Sequence, residues 1–293
     1  MAIKLSTYLK NEYGEKVYRL SLSSGCGCPN RDGTVSVGGC TFCSEGGAGE
    51  FAASGSIDEQ IQEAKAKIQQ KTDARKFIAY FQSFTNTYGD IDRLRKLYTA
   101  AITRDDVVIL SLGTRPDCVG SEVIAMLKEL NQIKPVWVEL GLQTIHDETA
   151  RAFNRGYELE VFTDAYERLK EAGLTVITHV IFGLPGETRE MMLDTVRFLA
   201  GLAPSLDGIK IQNLQILKGT KIYEEFERKP FHIMSMEEYT DLVAEALALL
   251  PEACVVHRMQ GDGPRKLLVE PLWSLDKKRV LNMLTEKTKG IVK

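Results

Sequence analysis

Between Cys26 and Gly46 the chain places four of its six cysteines, Cys26, Cys28, Cys40 and Cys43, and five glycines in one loop. The loop follows directly on an apolar run from Val17 to Leu22. Buried structural cysteines are dispersed singly along helices and strands. A thiol-dense, glycine-rich loop instead gives the sulfurs short tethers and a backbone free to turn them onto one centre. Cys40 and Cys43 can face one metal, and Cys28 can return across the loop as a third ligand. A disulfide would need an oxidising compartment, of which the chain gives no sign. A thioredoxin-type pair would open a helix after a strand and would have no use for Cys28. Two readings stay open on spacing alone: structural zinc with Cys26 as a fourth ligand, and a three-cysteine [4Fe–4S] cluster with one iron left open.

The rest of the pattern says what holds this loop. Apolar runs at 15–22, 77–81, 107–112, 136–140, 174–182 and 209–217 alternate with helical stripes, such as Ile57, Ile61, Ala64 and Ile68 behind a capping box at Ser56 and Glu59. Six strands alternating with helices predict a parallel sheet with crossover helices. Six repeats fall short of the eight of a closed barrel. The expected fold is therefore α/β, an open partial (β/α)6 TIM-like barrel over residues 1–220, with functional groups at the C-terminal ends of its strands. From 221 to 293 a helix (236–250), a short strand (254–259) and an apolar segment (266–271) break the repeat, which predicts a small C-terminal α+β extension.

Composition bounds the partners. Net charge is −3, and 44% hydrophobic with 26% charged residues is ordinary for a soluble globular chain. No run approaches a membrane span and the first residues lack a signal-peptide core, so the expected setting is a reducing cytoplasm with no membrane contact. From His257 onward nine Lys/Arg face four Asp/Glu, a net of +5 against −8 for the preceding residues. That segregation makes Arg258, Arg265, Lys266, Lys277, Lys278 and Arg279 the candidates for phosphate contact. A solvated basic helix would look the same.

Several polar residues fall at predicted strand ends. Gln82 and Ser83 follow the second strand and could simply cap the next helix. Arg115 and Asp117 follow the third and could pair with each other, or take an anionic substrate as catalytic groups. Glu139 on the fourth strand is expensive in a barrel interior unless it meets a cation. His179 and Gly183 close the fifth strand, where Gly183 allows close backbone approach. Gln212 and Gln215 are polar where a core wants apolar groups.

The run from Cys28 through Asn30, Arg31 and Thr34, followed by Gly39, Cys40, Phe42 and Cys43, resembles the cluster loop of radical S-adenosylmethionine (radical SAM) proteins. The likeness is to the subfamily related to the Elongator catalytic subunit, in its short bacterial MnmL-type form; its loop is a stretched Cys-x11-Cys-x2-Cys. The resemblance implies that Cys28, Cys40 and Cys43 hold a [4Fe–4S] cluster, with Cys26 dispensable. It also implies that Phe42, Gln82, Ser83, Glu139, Gln143, Arg155, His179, Gly183 and Gln212 surround S-adenosylmethionine, Arg155 pairing with its carboxylate. The implied activity generates a 5′-deoxyadenosyl radical and acts on tRNA wobble uridine, converting 5-carboxymethylaminomethyl-(2-thio)uridine to the 5-aminomethyl form. Implied partners are the tRNA anticodon region, a flavodoxin- or ferredoxin-type electron donor and a downstream methyltransferase. A radical SAM enzyme on a porphyrinogen-like small molecule, or a zinc-binding interaction protein, are the alternatives.

Overall fold

The computed structural model of the chain describes residues 1–47 and 55–293. Its first elements are β1 (Ile3–Lys4), α1 (Leu5–Tyr13), β2 (Val17–Leu22), α2 (Ile57–Gln69), β3 (Lys76–Phe81), α3 (Ile91–Ile102), β4 (Val107–Thr114), α4 (Ser121–Asn131) and β5 (Val136–Gln143). After them come α5 (Asp147–Ala152), α6 (Leu159–Glu171), β6 (Thr175–Phe182), α7 (Arg189–Ala200), β7 (Gly208–Asn213), β8 (Ile216–Leu217), α8 (Lys221–Arg228), α9 (Met236–Ala248), β9 (Val255–Arg258), β10 (Leu268–Glu270) and α10 (Lys277–Lys287). The six predicted strands pair in sequence order, β2 to β7, every neighbour parallel. This is the open (β/α) barrel expected from the alternation, because a parallel pair needs a crossover helix and the helices must bury one face of the sheet. The capping box forms as the sequence predicts, Ser56 receiving Glu59 N and Glu59 receiving Ser56 N.

Two strands extend that sheet at the β7 edge. β9 pairs parallel with β7, and β1 pairs parallel with β9. The segment 254–259, expected in an appendage, thus lies in the main sheet, while α9 packs on α7 and α10 on α9. The sixth predicted run, 209–217, is two strands: β7 stops at Asn213 and β8 turns away to pair antiparallel with β10. The N-terminal helix α1 lies outside the repeat that the sequence pattern predicts. It touches both β2 and β9, and its Leu9, with Leu5, Tyr8 and Tyr13 around it, packs on interior residues Ile78, Ile109, Trp137 and Ile177. Those residues sit towards the N-terminal ends of the strands, so α1 plugs that end and the interior opens at the other. No helix of the described residues is long and apolar enough to cross a membrane.

Candidate active site

Cys28, Cys40 and Cys43 line one cavity of about 190 Å³ at the C-terminal ends of the strands, together with Phe42, Gln82, Gln143, Arg155, His179 and Gln212. Cys43 N donates to Cys40 O at 3.0 Å, a tight turn that sets the two thiols on the same side. The hydrogen bond from Cys40 holds the Cys43 thiol below its ordinary range against burial, helped by the Arg31 and Arg115 charges, and the same bond raises Cys40. Cys26 faces elsewhere: it is buried, with Arg93 Nη2 donating to its Sγ at 3.3 Å. Three thiols on one cavity, without the fourth, suit a cluster that leaves one iron open. Among the described residues no three His, Cys, Asp or Glu are arranged around a single metal ion.

The loop is held in place by the turn after α5. Asn154 donates to Gly39 O at 2.9 Å, Asn30 donates to Asn154 O at 2.6 Å and to Cys40 Sγ at 3.6 Å, and Thr41 N donates to Phe153 O at 3.0 Å. Gly156 (φ +84°) makes this possible, since a Cβ there would stand 2.5 Å from Asn30 Oδ1. Three non-glycine residues with positive φ, Phe84 (56°), Gln143 (65°) and Asn154 (58°), flank the same cavity or its loop. Strained backbone of this kind clusters at functional sites.

Arg155, expected to meet a cofactor carboxylate, lines the cavity and also serves as a strut. It is 1% exposed. Its guanidinium donates to the carbonyls of Tyr157 (2.9 Å), Leu142 (2.8 Å) and Thr144 (2.7 Å) and to Asp147 Oδ1 (2.9 Å), which leaves one N–H uncommitted. Arg115 and Asp117 pair with each other in a fork, Nε to Oδ1 at 2.9 Å and Nη2 to Oδ2 at 2.6 Å, while Arg115 Nη1 donates to Arg155 O at 2.9 Å. Arg115 still lines the cavity; Asp117 does not. Ser83 is buried outside the lining. Gly183 lies on a separate cavity of about 570 Å³ between the start of α7 and α9.

Glu139 does have a cation, and the protein supplies it. Lys210 on β7, 1% exposed, pairs with Glu139 Oε2 and donates to Tyr80 OH at 3.0 Å. His179 Nε2 lies 2.9 Å from the same carboxylate oxygen, and Ser111 Oγ donates to the other at 2.9 Å. Burial opposes a charged carboxylate here, yet the Lys210 ammonium and the His179 hydrogen bond hold Glu139 well below the usual carboxylate range. Burial pushes His179 down, keeping the imidazole neutral. Lys210 escaped the sequence reading although the signal was present: strand alternation puts it on the same face as Gln212, which was singled out.

The basic residues divide. Arg265, Lys266, Lys278 and Arg279 are exposed, and Lys277 pairs with Asp262 at 2.6 Å. Arg258 is half-buried and lines a cavity beside the cysteines.

Comparison with known proteins agrees with this geometry. The Radical SAM superfamily profile matches residues 22–199, and the Radical_SAM C-terminal domain profile matches 206–289. The uncharacterised protein YtqA of Bacillus subtilis is 40% identical over 284 residues, covering 96% of this chain and 88% of YtqA. The tRNA uridine(34) acetyltransferase of Methanocaldococcus infernus is 32% identical over 167 residues, 56% of this chain and 30% of that protein. The solved structure of the archaeal Methanocaldococcus infernus Elp3 with its N-terminus deleted superposes with a TM-score of 0.69 at 20% identity, covering 94% of this chain and 63% of that one. With its cysteine loop seated at the open end of a parallel half-barrel, this chain belongs to the radical SAM superfamily.

Proposed function

We propose that this chain modifies the wobble uridine of tRNA, trimming 5-carboxymethylaminomethyl-(2-thio)uridine to the 5-aminomethyl form. The observation that carries the tRNA reading is the 32% identity to a tRNA uridine(34) acetyltransferase over 167 residues. When bound, a [4Fe–4S] cluster supplies the electron that cleaves the S–C5′ bond of S-adenosylmethionine. Cys28, Cys40 and Cys43 would hold it. The α1 plug closes the far end of the barrel, and Phe42, packed at a tilt against Phe153 with ring centroids 5.2 Å apart, walls the cavity against water. A wobble base must leave the anticodon stack to reach this depth. The exposed cations bear on the rim: Arg265 and Lys266 directly follow Pro264, which lines the cavity beside the cysteines. A flavodoxin- or ferredoxin-type donor and a methyltransferase acting on the product complete the proposed partners.

Mass spectrometry of tRNA nucleosides from a deletion strain tests the reading. The carboxymethylaminomethyl form should accumulate and the aminomethyl form, with anything made from it, should disappear; an unchanged profile refutes the substrate and brings a porphyrinogen-like molecule forward. A second expectation concerns the rim. Neutralising Lys277, Lys278 and Arg279 together should weaken tRNA binding and flatten its dependence on log salt by roughly two units, one for each lost phosphate contact, with Lys277 already engaged by Asp262. Titrations across ionic strength would show it, and an unchanged slope would make the segment a plain solvated helix.

A further inference from the structure

The cysteine cavity continues sideways into an annex of about 140 Å³; Phe42, Cys43, Gln82, Ile181 and Gln212 line both. The far wall of the annex is the end of β7 with Gln215, and the loop after β9 with Arg258, Asp262 and Gly263. The two halves of that wall are fixed to each other. Gly261 N donates to Asn213 Oδ1 at 3.0 Å, and a Cβ at Gly263 would stand 2.9 Å from Gln215 Cδ. Arg258 reaches the annex because of an irregularity in β9. Ile209 pairs with Val256 but the next residue, Lys210, pairs with Arg258, so His257 is bulged out of register. Strict alternation would send His257 and Arg258 to opposite faces. Instead His257 meets the interior Trp137, ring centroids 4.8 Å apart, and Arg258 lines the annex. Bulges beside active sites re-aim side chains in this way.

Arg258 and Gln212 pair through their main chains in the sheet, but among the described residues the Arg258 guanidinium makes no hydrogen bond or ion pair, and the Gln212 and Gln215 side-chain amides make no hydrogen bond. The nearby carboxylates are engaged: Glu139 by Lys210, His179 and Ser111, and Asp262 by Lys277. A half-buried guanidinium that no protein carboxylate engages is disposed to take an anion with two coplanar oxygens.

We propose that Arg258 binds the carboxylate of the substrate's 5-carboxymethylaminomethyl group, in the annex, and so selects tRNA that carries it. The inference rests on the trimming reaction proposed above. The carboxylate is the terminus of that side chain, so anchoring it in the annex leaves the methylenes behind it facing the cavity of the cysteines. Gln212 and Gln215 offer unspent amides to the same ligand.

The test is binding of the anaerobically reconstituted holoenzyme to two tRNAs of identical sequence, one carrying 5-carboxymethylaminomethyluridine at the wobble position and the other plain uridine. The native chain should prefer the modified tRNA by about tenfold or more, as expected for a charge-assisted hydrogen-bonded pair. Arg258→Gln should erase the preference while leaving affinity for the unmodified tRNA in place, and Arg258→Lys should keep part of it. A preference that survives in Arg258→Gln overturns this inference and leaves the trimming reaction standing. Equal weakening of both tRNAs by Arg258→Gln and Arg258→Lys also overturns it, making Arg258 a phosphate contact or a structural residue. A native chain without preference refutes the trimming reaction, and the role of Arg258 falls with it.

Discussion

Replacing Cys28, Cys40 or Cys43 by alanine should each abolish stable iron incorporation, whereas Cys26→Ala should retain iron in full. Losing any one of the three leaves two anchors on a cavity built around three. Cys26 is buried beside Arg93, so its loss costs packing, about 1 kcal/mol. Iron and sulfide content after anaerobic reconstitution distinguishes the cases, and thermal melting separates ligand loss from unfolding. Retention of iron by Cys28→Ala with loss in Cys26→Ala would reverse the ligand set. A colourless protein saturated with zinc, insensitive to reductant, would return the loop to the structural-zinc reading.

Lys210→Met should destabilise the fold by about 3–5 kcal/mol, because it strands a buried carboxylate. Glu139 is 1% exposed, and its remaining partners, Ser111 and a neutral His179, do not replace a full positive charge. The pH dependence fixes the cause. In the native chain the Glu139 carboxyl sits below its unfolded value, so its contribution is present above the unfolded pKa and is lost as pH falls through the folded one. Without Lys210, burial raises that carboxyl above its unfolded value, so the variant binds more protons folded than unfolded and gains stability as pH falls. The gap between native and variant should therefore be widest at neutral pH and narrow towards acid, as urea denaturation at a series of pH values would show. The double substitution Glu139→Leu with Lys210→Met should recover most of the loss, since a buried pair exchanged for apolar groups is often near neutral. A gap independent of pH would mean that Lys210 matters only as volume.

The cysteine cavity and this buried network meet at one wall. His179 and Glu139 line the cysteine cavity while Lys210 stands behind them, so the charge that stabilises the barrel also fixes the polarity of its floor. Arg155 and the Arg115–Asp117 fork act similarly on the other side. Their donors support the loop ends that carry Tyr157 and Gln143, whose side chains meet at 3.3 Å.

By itself the sequence determined the repeating part of the fold and the thiol ligand candidates. Hydrophobic alternation is a local property, so β2 to β7 and the crossover helices α2, α3, α4, α6 and α7 lie within a few residues of where the pattern puts them, while the short α5 leaves no such pattern. The cysteine loop was legible because sulfur density and glycine content need no knowledge of the fold. Tertiary structure decided what each polar side chain does, since a partner far along the chain leaves no local trace. Glu139 announced a need for a cation, but only the curl of the sheet brings Lys210 to it across 71 positions. Arg155 reads as a free fork in the sequence, whereas the carbonyls of Leu142 and Thr144 at the end of β5 engage one of its nitrogens in the fold. Arg258 belonged to a basic tail by composition, yet one bulged residue in β9, invisible to period-two alternation, turns it from the surface into the annex beside the cysteines.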